Sequence, residues 1–445
     1  MTEAFTHRVL SGWISEYVTR ALPGVWPQIP LDDETLADFE ANFDVCCEAG
    51  YTALVIWGLW TDHAWPEDIA SCVDAERRMR IQRLLDGAHA RDLKVLAGLG
   101  LYSWGFDEII RRHPYLAPGK SKCMCPAVDE SHAWMDHVLD FVTTFDIDGL
   151  NMQSADEGRC TCESCRDQST VEYHARLNRR VAARVREVRS DWLLMVDNWG
   201  CPYSDPADEP HLVTLSRDVD FIQDHNNSAA RTDPTYRKRL IPALACPFGT
   251  LAGRSIWSPQ RWAADRWFIP TTCMNVAYVR SLHADGGRGA TQFAVNVANP
   301  GDEITLRFMG GLLADVSADA DALLADAVER VYAPVDLATR RSLVDLVKRV
   351  EDAFMDCAKP DISVTKPVHI RGGLHDEESR CPRYLEAMSP DAREEYSALM
   401  RAIADDFRSM RSALRNADAV RRTERCLQNL LADAEGSLTD TSQST

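Results

Sequence analysis

No stretch of the chain approaches the roughly 18 consecutive apolar residues that a membrane-crossing helix needs, so no membrane partner is expected. A basic excess is missing as well: 49 Lys and Arg stand against 68 Asp and Glu in 445 residues, a net charge of −19. Nucleic-acid surfaces displace counterions with a stripe of cations. This balance therefore argues against nucleic acid and otherwise speaks only for solubility. Residues 1–13 carry neither the basic segment nor the apolar stretch of a secretory leader. Without such a leader, the 14 cysteines read as thiols or metal ligands rather than a disulfide framework. The expected compartment is the cytoplasm. A glycine-rich phosphate turn is absent too, which argues against a doubly wound nucleotide-binding sheet.

What the chain does have is an alternation of short apolar runs and amphipathic stretches. Leu54 to Trp57, Leu93 to Leu99, Ile147 to Met152, Trp192 to Val196, Val219 to Ile222, Ile241 to Ala245 and Ala290 to Val297 read as buried strands. Helices are expected near 74–91, 169–189, 208–216 and 259–284. Trp134, Val138, Phe141, Val142 and Phe145 recur at helical spacing, with Asp129 or Ser131 as the expected cap. One further strand, somewhere between Arg8 and Thr19, brings the count to eight. Parallel strands need crossovers, and repeated strand–helix units supply them.

The fold class read from this pattern is α/β, a (β/α)8 TIM barrel over residues 1–300. The length leaves room for a barrel of about 250 residues and roughly 150 more. After Pro300 the strand signal stops. Residues near 302–356 and 389–434 are helical, separated by a Pro/Gly-containing stretch around 359–382. They define a helical C-terminal region over 301–435, expected to pack on the barrel or to join copies of the chain into a homo-oligomer. Residues 436–445 are Ser/Thr-rich and are expected to fray.

Barrel active sites gather where strands end at their C-terminal side. The second strand is followed by Trp57, Trp60, Asp62 and His63, the third by Tyr102 and Trp104, the fourth by Gln153, Asp156 and Glu157. Asp197, Asn198 and Trp199 follow the fifth, Gln223, Asp224, His225, Asn226 and Asn227 the sixth, Asn296 and Asn299 the eighth. Taken singly, these are the polar residues any loop contains. As a set they suit a small carbohydrate, whose ring faces stack on aromatics and whose hydroxyls bond to amides and carboxylates. Trp57, Trp60, Trp104, Gln153, Asp197, Asn198, His225 and Asn296 are the candidate substrate-binding residues.

Asp156 and Glu157 are the sharpest pair. Two adjacent carboxylates repel, and burial raises one of them into the range of a general acid. The run Cys246-Pro247-Phe248-Gly249, read as the exit of the seventh strand, offers no second carboxylate. That leaves assistance by a substrate group, or water activation by Asp197 or Asp224. The candidate catalytic residues are Glu157, Asp156 and Asp224. Two other classes fit the same rim: a non-catalytic carbohydrate-binding barrel, and a metal-dependent lyase or isomerase using His63, Asp224 and His225. Trp257, Trp262, Trp267 and Phe268 suit either a sugar subsite or helix packing. Arg254 and Arg288 suit either an acidic substrate or surface ion pairs.

Cys160-x-Cys162-x-x-Cys165 follows the fourth strand, and Cys123-x-Cys125 precedes the helix leading into it. These five cysteines are candidate ligands of a structural zinc that clamps the loop presenting Glu157, or else free thiols. No cofactor is required for the chemistry.

The run Cys125-Pro126, Phe145 to Leu150 and Asp156 to Cys165 resembles the fourth β/α unit of uncharacterised barrel proteins grouped with glycoside hydrolases. Their elements are a Cys-Pro pair, a helix, an Asp-x-Asp-Gly strand and a Cys-x-Cys-x-x-Cys loop. The acidic doublet is similar to that of the β-N-acetylhexosaminidases of glycoside hydrolase family twenty. That resemblance implies Glu157 as general acid and Asp156 as the residue orienting a 2-acetamido group. Met152-Gln153-Ser154-Ala155 departs from the His-x-Gly-Gly that precedes the doublet there. Phe308 to Pro334 resembles the helical region after the barrel in α-glucuronidase-like proteins, which implies inverting hydrolysis of uronic-acid glycosides. The function implied is a glycosidase acting on a small carbohydrate.

Overall fold

A computed structural model describes residues 4–20, 29–61, 64–119, 122–154, 156–225, 227–253, 267–293, 296–358, 385 and 388–440. Eight parallel strands close into a barrel in chain order. They are β1 His7–Trp13, β2 Ala53–Trp57, β3 Lys94–Gly100, β4 Gly149–Gln153, β5 Leu193–Asp197, β6 Phe221–Asp224, β7 Phe248–Gly253 and β8 Gly289–Phe293. The chain is a (β/α)8 barrel with a helical C-terminal region.

Strand periodicity sorts the side chains into two shells. Val9, Val55, Leu96, Met195 and Phe221 pack together inside the barrel. Their neighbours Leu10, Leu54, Ile56, Val95, Leu150, Met152, Leu194 and Ile222 join the larger core under the helices. Those helices are α1 Asp33–Ala49, α2 Ala75–His89, α3 Asp107–Arg112, α4 Asp129–Val142, α5 Thr170–Val188, α6 Glu209–Leu215, α7 Ser228–Thr232, α8 Pro234–Leu240, α9 Val276–Ala284 and α10 Pro300–Ala314. Asp32, Asp74 and Ser169 cap α1, α2 and α5 by accepting from backbone N–H groups.

Several sequence-based expectations are corrected. The cap position of α4 is Val128; Asp129 lies inside the first turn without a side-chain cap bond, where its charge faces the positive end of the helix dipole. The apolar run at Ile241 forms a 3-10 turn, Ile241–Ala243, with Pro242 inside it. The seventh strand is Phe248–Gly253, so Cys246 to Gly249 marks its entrance and not its exit. The strand expected over Val219 to Ile222 sits two residues later, and β8 ends at Phe293. Helix α9 begins only at Val276; residues 254–266, with Arg254, Trp257 and Trp262, lie outside the described residues.

Helix α10 packs against α1 and against β1 and β8. Its Leu306 belongs to the barrel core, while Ile304, Phe308, Met309 and Leu312 face a second core. That second core is completed by α11 Ala320–Tyr332, α12 Leu337–Ala358 and the helices Pro390–Met410 and Ala417–Asp440. The last helix is described as far as Asp440; residues 441–445 of the tail expected to fray lie outside the described residues. Trp267 and Phe268 are buried in this core, which settles them as packing residues. Glu351 of α12 fastens the region to the barrel by accepting the backbone N–H of Thr272. Burial raises its carboxyl to about 7, against the opposing bonds from Thr272, Met274 and Cys273. Among the described residues no helix is long and apolar enough to cross a membrane.

Candidate active site at the barrel mouth

One half of the mouth is aromatic. Trp13 and Trp57 end paired strands, and their rings lie 5.6 Å apart at 31°. Trp104 meets Trp13 edge-on, also at 5.6 Å. The backbone of β3 makes room for them. A Cβ at Gly98 would stand 2.1 Å from the Trp57 ring, and one at Gly100 would stand 2.3 Å from the carbonyl of Trp104. A cavity of about 30 Å³ lies between Trp13, Trp57, Trp60, Trp65 and Trp104. Trp60 is mainly a core residue, buried against Trp65 and Phe145; it only borders this space. Trp13 was not among the expected binding residues. A strand placed at His7–Trp13 would have put it on the rim.

The other half is acidic. Beyond Gln153, the last residue of β4, Ser154 is locked beneath the rim. Its hydroxyl lies 2.5 Å from His174 Nδ1 and accepts from Asn178 Nδ2 at 3.0 Å, and His174 Nε2 meets the Tyr203 hydroxyl at 3.1 Å. Burial keeps this imidazole neutral, with a pKa lowered to about 4. Asp156 and Glu157 follow, and Gly158 turns the chain with φ of +82°. That conformation suits glycine and strains other residues.

The two acids meet different surroundings. Burial first, then the charge of Glu157 and that of Asp197, raises Asp156 to about 6; a hydrogen bond from Trp199 and the charge of Lys122 oppose the rise. Glu157 pairs with Lys122 at 2.9 Å, its side chain 20% exposed against 69% for the lysine. Both acids are partly buried, and Asp156 is the one whose carboxyl desolvation raises, whereas the family resemblance names Glu157 as acid. Lys122 lies in the loop before α4, and local sequence gives no sign of its partner.

Asp197 and His225 close the rim between these halves. The Trp199 backbone N–H donates to Asp197 Oδ1, while Gln223 Nε2 at 3.0 Å and His225 Nδ1 at 3.1 Å share Oδ2. Gln223 is held in turn by the Thr291 hydroxyl. Because Nδ1 faces a carboxylate, it carries the proton. Among the described residues His225 Nε2 is buried without a partner; the His225 and Trp199 rings meet edge-on with centroids 4.3 Å apart.

Four residues named from the sequence make their bonds within the protein. Asp224 is fully buried. Its Oδ1 accepts from Asn198 at 2.9 Å and Ser228 at 2.6 Å, and its Oδ2 from the Ala229 N–H at 2.8 Å. Burial raises its pKa and those donors lower it. Both oxygens accept hydrogen bonds from protein donors, which gives this carboxylate a positioning role. Asn198 is the cross-link between β5 and β6, since its Oδ1 takes the His225 N–H. Asn296 donates to the Tyr17 carbonyl and accepts from Ala298 N–H, fixing the loop before α10. Arg288 bonds to the carbonyls of His283 and Gly287 just before β8 begins, at the opposite end of the barrel. Asp62, His63 and Asn226 lie outside the described residues. Beside the rim, a cavity of about 370 Å³ is lined by Asn198, Ser204, Ser228 and Arg231.

Of the five candidate cysteine ligands, four come together. The Sγ atoms of Cys125, Cys160, Cys162 and Cys165 all lie within 4.8 Å of one another. Cys123 is turned away and donates its thiol to the Gly158 carbonyl at 3.2 Å.

No family model matches the chain, and no curated protein matches it in sequence. Solved structures do match. A glycoside hydrolase of family 138 targeting pectin rhamnogalacturonan II superposes with a TM-score of 0.63 at 10% identity, over 98% of this chain and 58% of its own. An O-GlcNAc hydrolase from Thermobaculum terrenum gives 0.56 at 11% identity, over 99% of this chain and 86% of its own. The family 84 protein CpGH84B gives 0.52 at 8% identity, over 98% and 69%. The chain is thus similar in fold to glycoside hydrolases over nearly its whole length, while spanning little more than half of the family 138 enzyme.

Proposed function

We propose that this barrel hydrolyses a glycosidic bond at its mouth, the Asp156–Glu157 doublet supplying acid catalysis. The observation that carries the reading is the unequal environment of two adjacent carboxylates, one raised to about 6 by burial and the other paired with Lys122. Splitting a pair in this way lets one member hold a proton near neutrality while the other stabilises developing positive charge. Asp156 is the proton holder. Trp13, Trp57 and Trp104 offer the apolar wall against which a sugar ring stacks. The volume beside Arg231 is at the lower end of small-ligand pockets, and its guanidinium suits a uronate carboxylate.

A second reading exchanges the roles: Glu157 protonates the leaving group and Asp156 orients a 2-acetamido substituent. The position of the doublet after β4 and the fold likeness to an O-GlcNAc hydrolase support it. A panel of aryl glycosides with and without the 2-acetamido group decides between them. Under the first reading Asp156→Asn lowers turnover by about 10²- to 10⁴-fold on every substrate that the protein cleaves. Under the second, Asp156→Asn is selective for 2-acetamido sugars and Glu157→Gln removes leaving-group protonation. A protein that binds these sugars and cleaves none of them is a carbohydrate-binding barrel, and the hydrolase reading falls.

A further inference from the structure

We infer that Cys125, Cys160, Cys162 and Cys165 hold one zinc ion in a closed four-thiolate site, and that this ion is the clasp that keeps the acidic doublet in the mouth. The site stands on its own geometry; only its effect on catalysis rests on the hydrolase reading.

Tetrahedral zinc with Zn–S bonds of 2.3 Å places its sulfurs about 3.8 Å apart. Cys125 Sγ lies 3.5 Å from Cys162 Sγ and 3.8 Å from Cys165 Sγ, with all four sulfurs inside 4.8 Å. These separations are far too long for disulfides and fit four donors around one small cation. Cys162 and Cys165 form a knuckle, the N–H groups of Cys165 and Arg166 both donating to the Cys162 carbonyl. Cys125 arrives from the other side, in the loop before α4. Binding replaces four S–H protons with one divalent cation, releasing the protons to solvent and leaving a net charge of −2. Arg159 brings a guanidinium to the same loop, bonded to the carbonyls of Cys165 at 2.8 Å and Arg166 at 3.2 Å.

The place of the site gives it a consequence. Residues 156–169 form neither helix nor strand, yet they carry Asp156 and Glu157 at one end and three of the sulfurs further on. The partner sulfur belongs to the segment that also provides Lys122. A metal joining the two therefore fixes Glu157 relative to its cation. Four ligands from protein leave no open coordination position, so the ion would be structural and take no part in the reaction.

The test uses the full-length protein, purified without chelators or a metal-affinity tag. Metal content is measured by plasma mass spectrometry, and zinc release is followed with a chromogenic chelator during mercurial titration of the thiols. One zinc per chain, freed as four thiols react, is the expected result. Cys123→Ser should keep that zinc; Cys162→Ser, at the least buried of the four sulfurs, should lose it while its circular dichroism stays native. A folded wild-type protein without zinc, iron in its place, disulfides by intact mass, or loss of metal in Cys123→Ser would each overturn the site. For the clasp, withdrawing zinc should lower the rate on an aryl glycoside at least tenfold and open residues 154–166 to hydrogen exchange. Asp156→Asn should keep full zinc. Unchanged exchange and unchanged rate after withdrawal overturn the clasp. A wild-type protein with zinc but no hydrolysis overturns the hydrolase reading instead, and the exchange measurement then decides the clasp alone.

Discussion

Lys122 Nζ lies 2.9 Å from Glu157 Oε2, whereas Asp156, the next residue back along the chain, is partly buried and has its carboxyl raised by desolvation to about 6. An acid with a raised pKa keeps its proton below that value and loses it above. If Asp156 is the donor, kcat/KM falls as pH rises through about 6. Asp156→Asn should remove that limb and lower kcat/KM by about 10²- to 10⁴-fold. Lys122→Ala withdraws a cation that favours the ionised form, so the limb should move to higher pH. A pH–rate profile of the three proteins checks all of this, and a limb that persists in Asp156→Asn would count against the assignment.

Gly158 turns the chain at φ +82°, and among the described residues, its two chain neighbours aside, no atom lies within 4 Å of where a Cβ would be. Gly158→Ala therefore meets no clash, only backbone strain of about 1–2 kcal/mol. A modest drop in thermal midpoint should accompany a larger drop in turnover, because the strained turn directly follows the doublet. Equal proportional losses in stability and activity would argue that the turn has no bearing on the site.

Gly98→Ala makes the opposite case. Its Cβ would fall 2.1 Å from the Trp57 ring, so the ring must move or the strand must shift, at about 1–3 kcal/mol. Displacing Trp57 should raise KM more than it lowers kcat and should change the tryptophan fluorescence. A kcat effect alone would mean that the ring does not contact substrate.

Glu351 couples stability to pH. Its buried carboxyl titrates near 7 in the folded protein against about 4.3 in an unfolded chain. The folded state thus binds the extra proton, and its stability declines as pH rises between those values. Glu351→Gln lacks this titration, so wild type should lose stability relative to the variant between pH 5 and pH 8. Denaturant melts at the two pH values measure it.

The barrel was legible wherever a strand was an unbroken apolar run, as in Leu54 to Trp57 or Leu193 to Val196. It was misread where glycine and threonine replaced such a run. Phe248-Gly249-Thr250-Leu251-Ala252-Gly253 carries little hydrophobic signal, while Ile241 to Ala245 carries more and still forms a turn, because Pro242 cannot donate to a ladder. At the site, spacing was enough to find the doublet and the cysteine loop. Side-chain direction was not available from spacing. Asp224, Asn198 and Asn296 end strands or begin loops as binding residues do, yet they spend their polar atoms on one another and on nearby backbone. Lys122, Ser154 and His174 were missed because their partners are distant in the chain.

Helix α10 is shared between two cores: Leu306 belongs to the barrel, and Phe308 and Met309 to the helices that follow. A chain cut at residue 300 would keep all eight strands but lose the helix that covers β1 and β8, along with the appended helices. Removing the appended helices would therefore bare the apolar face of a helix that the barrel itself needs.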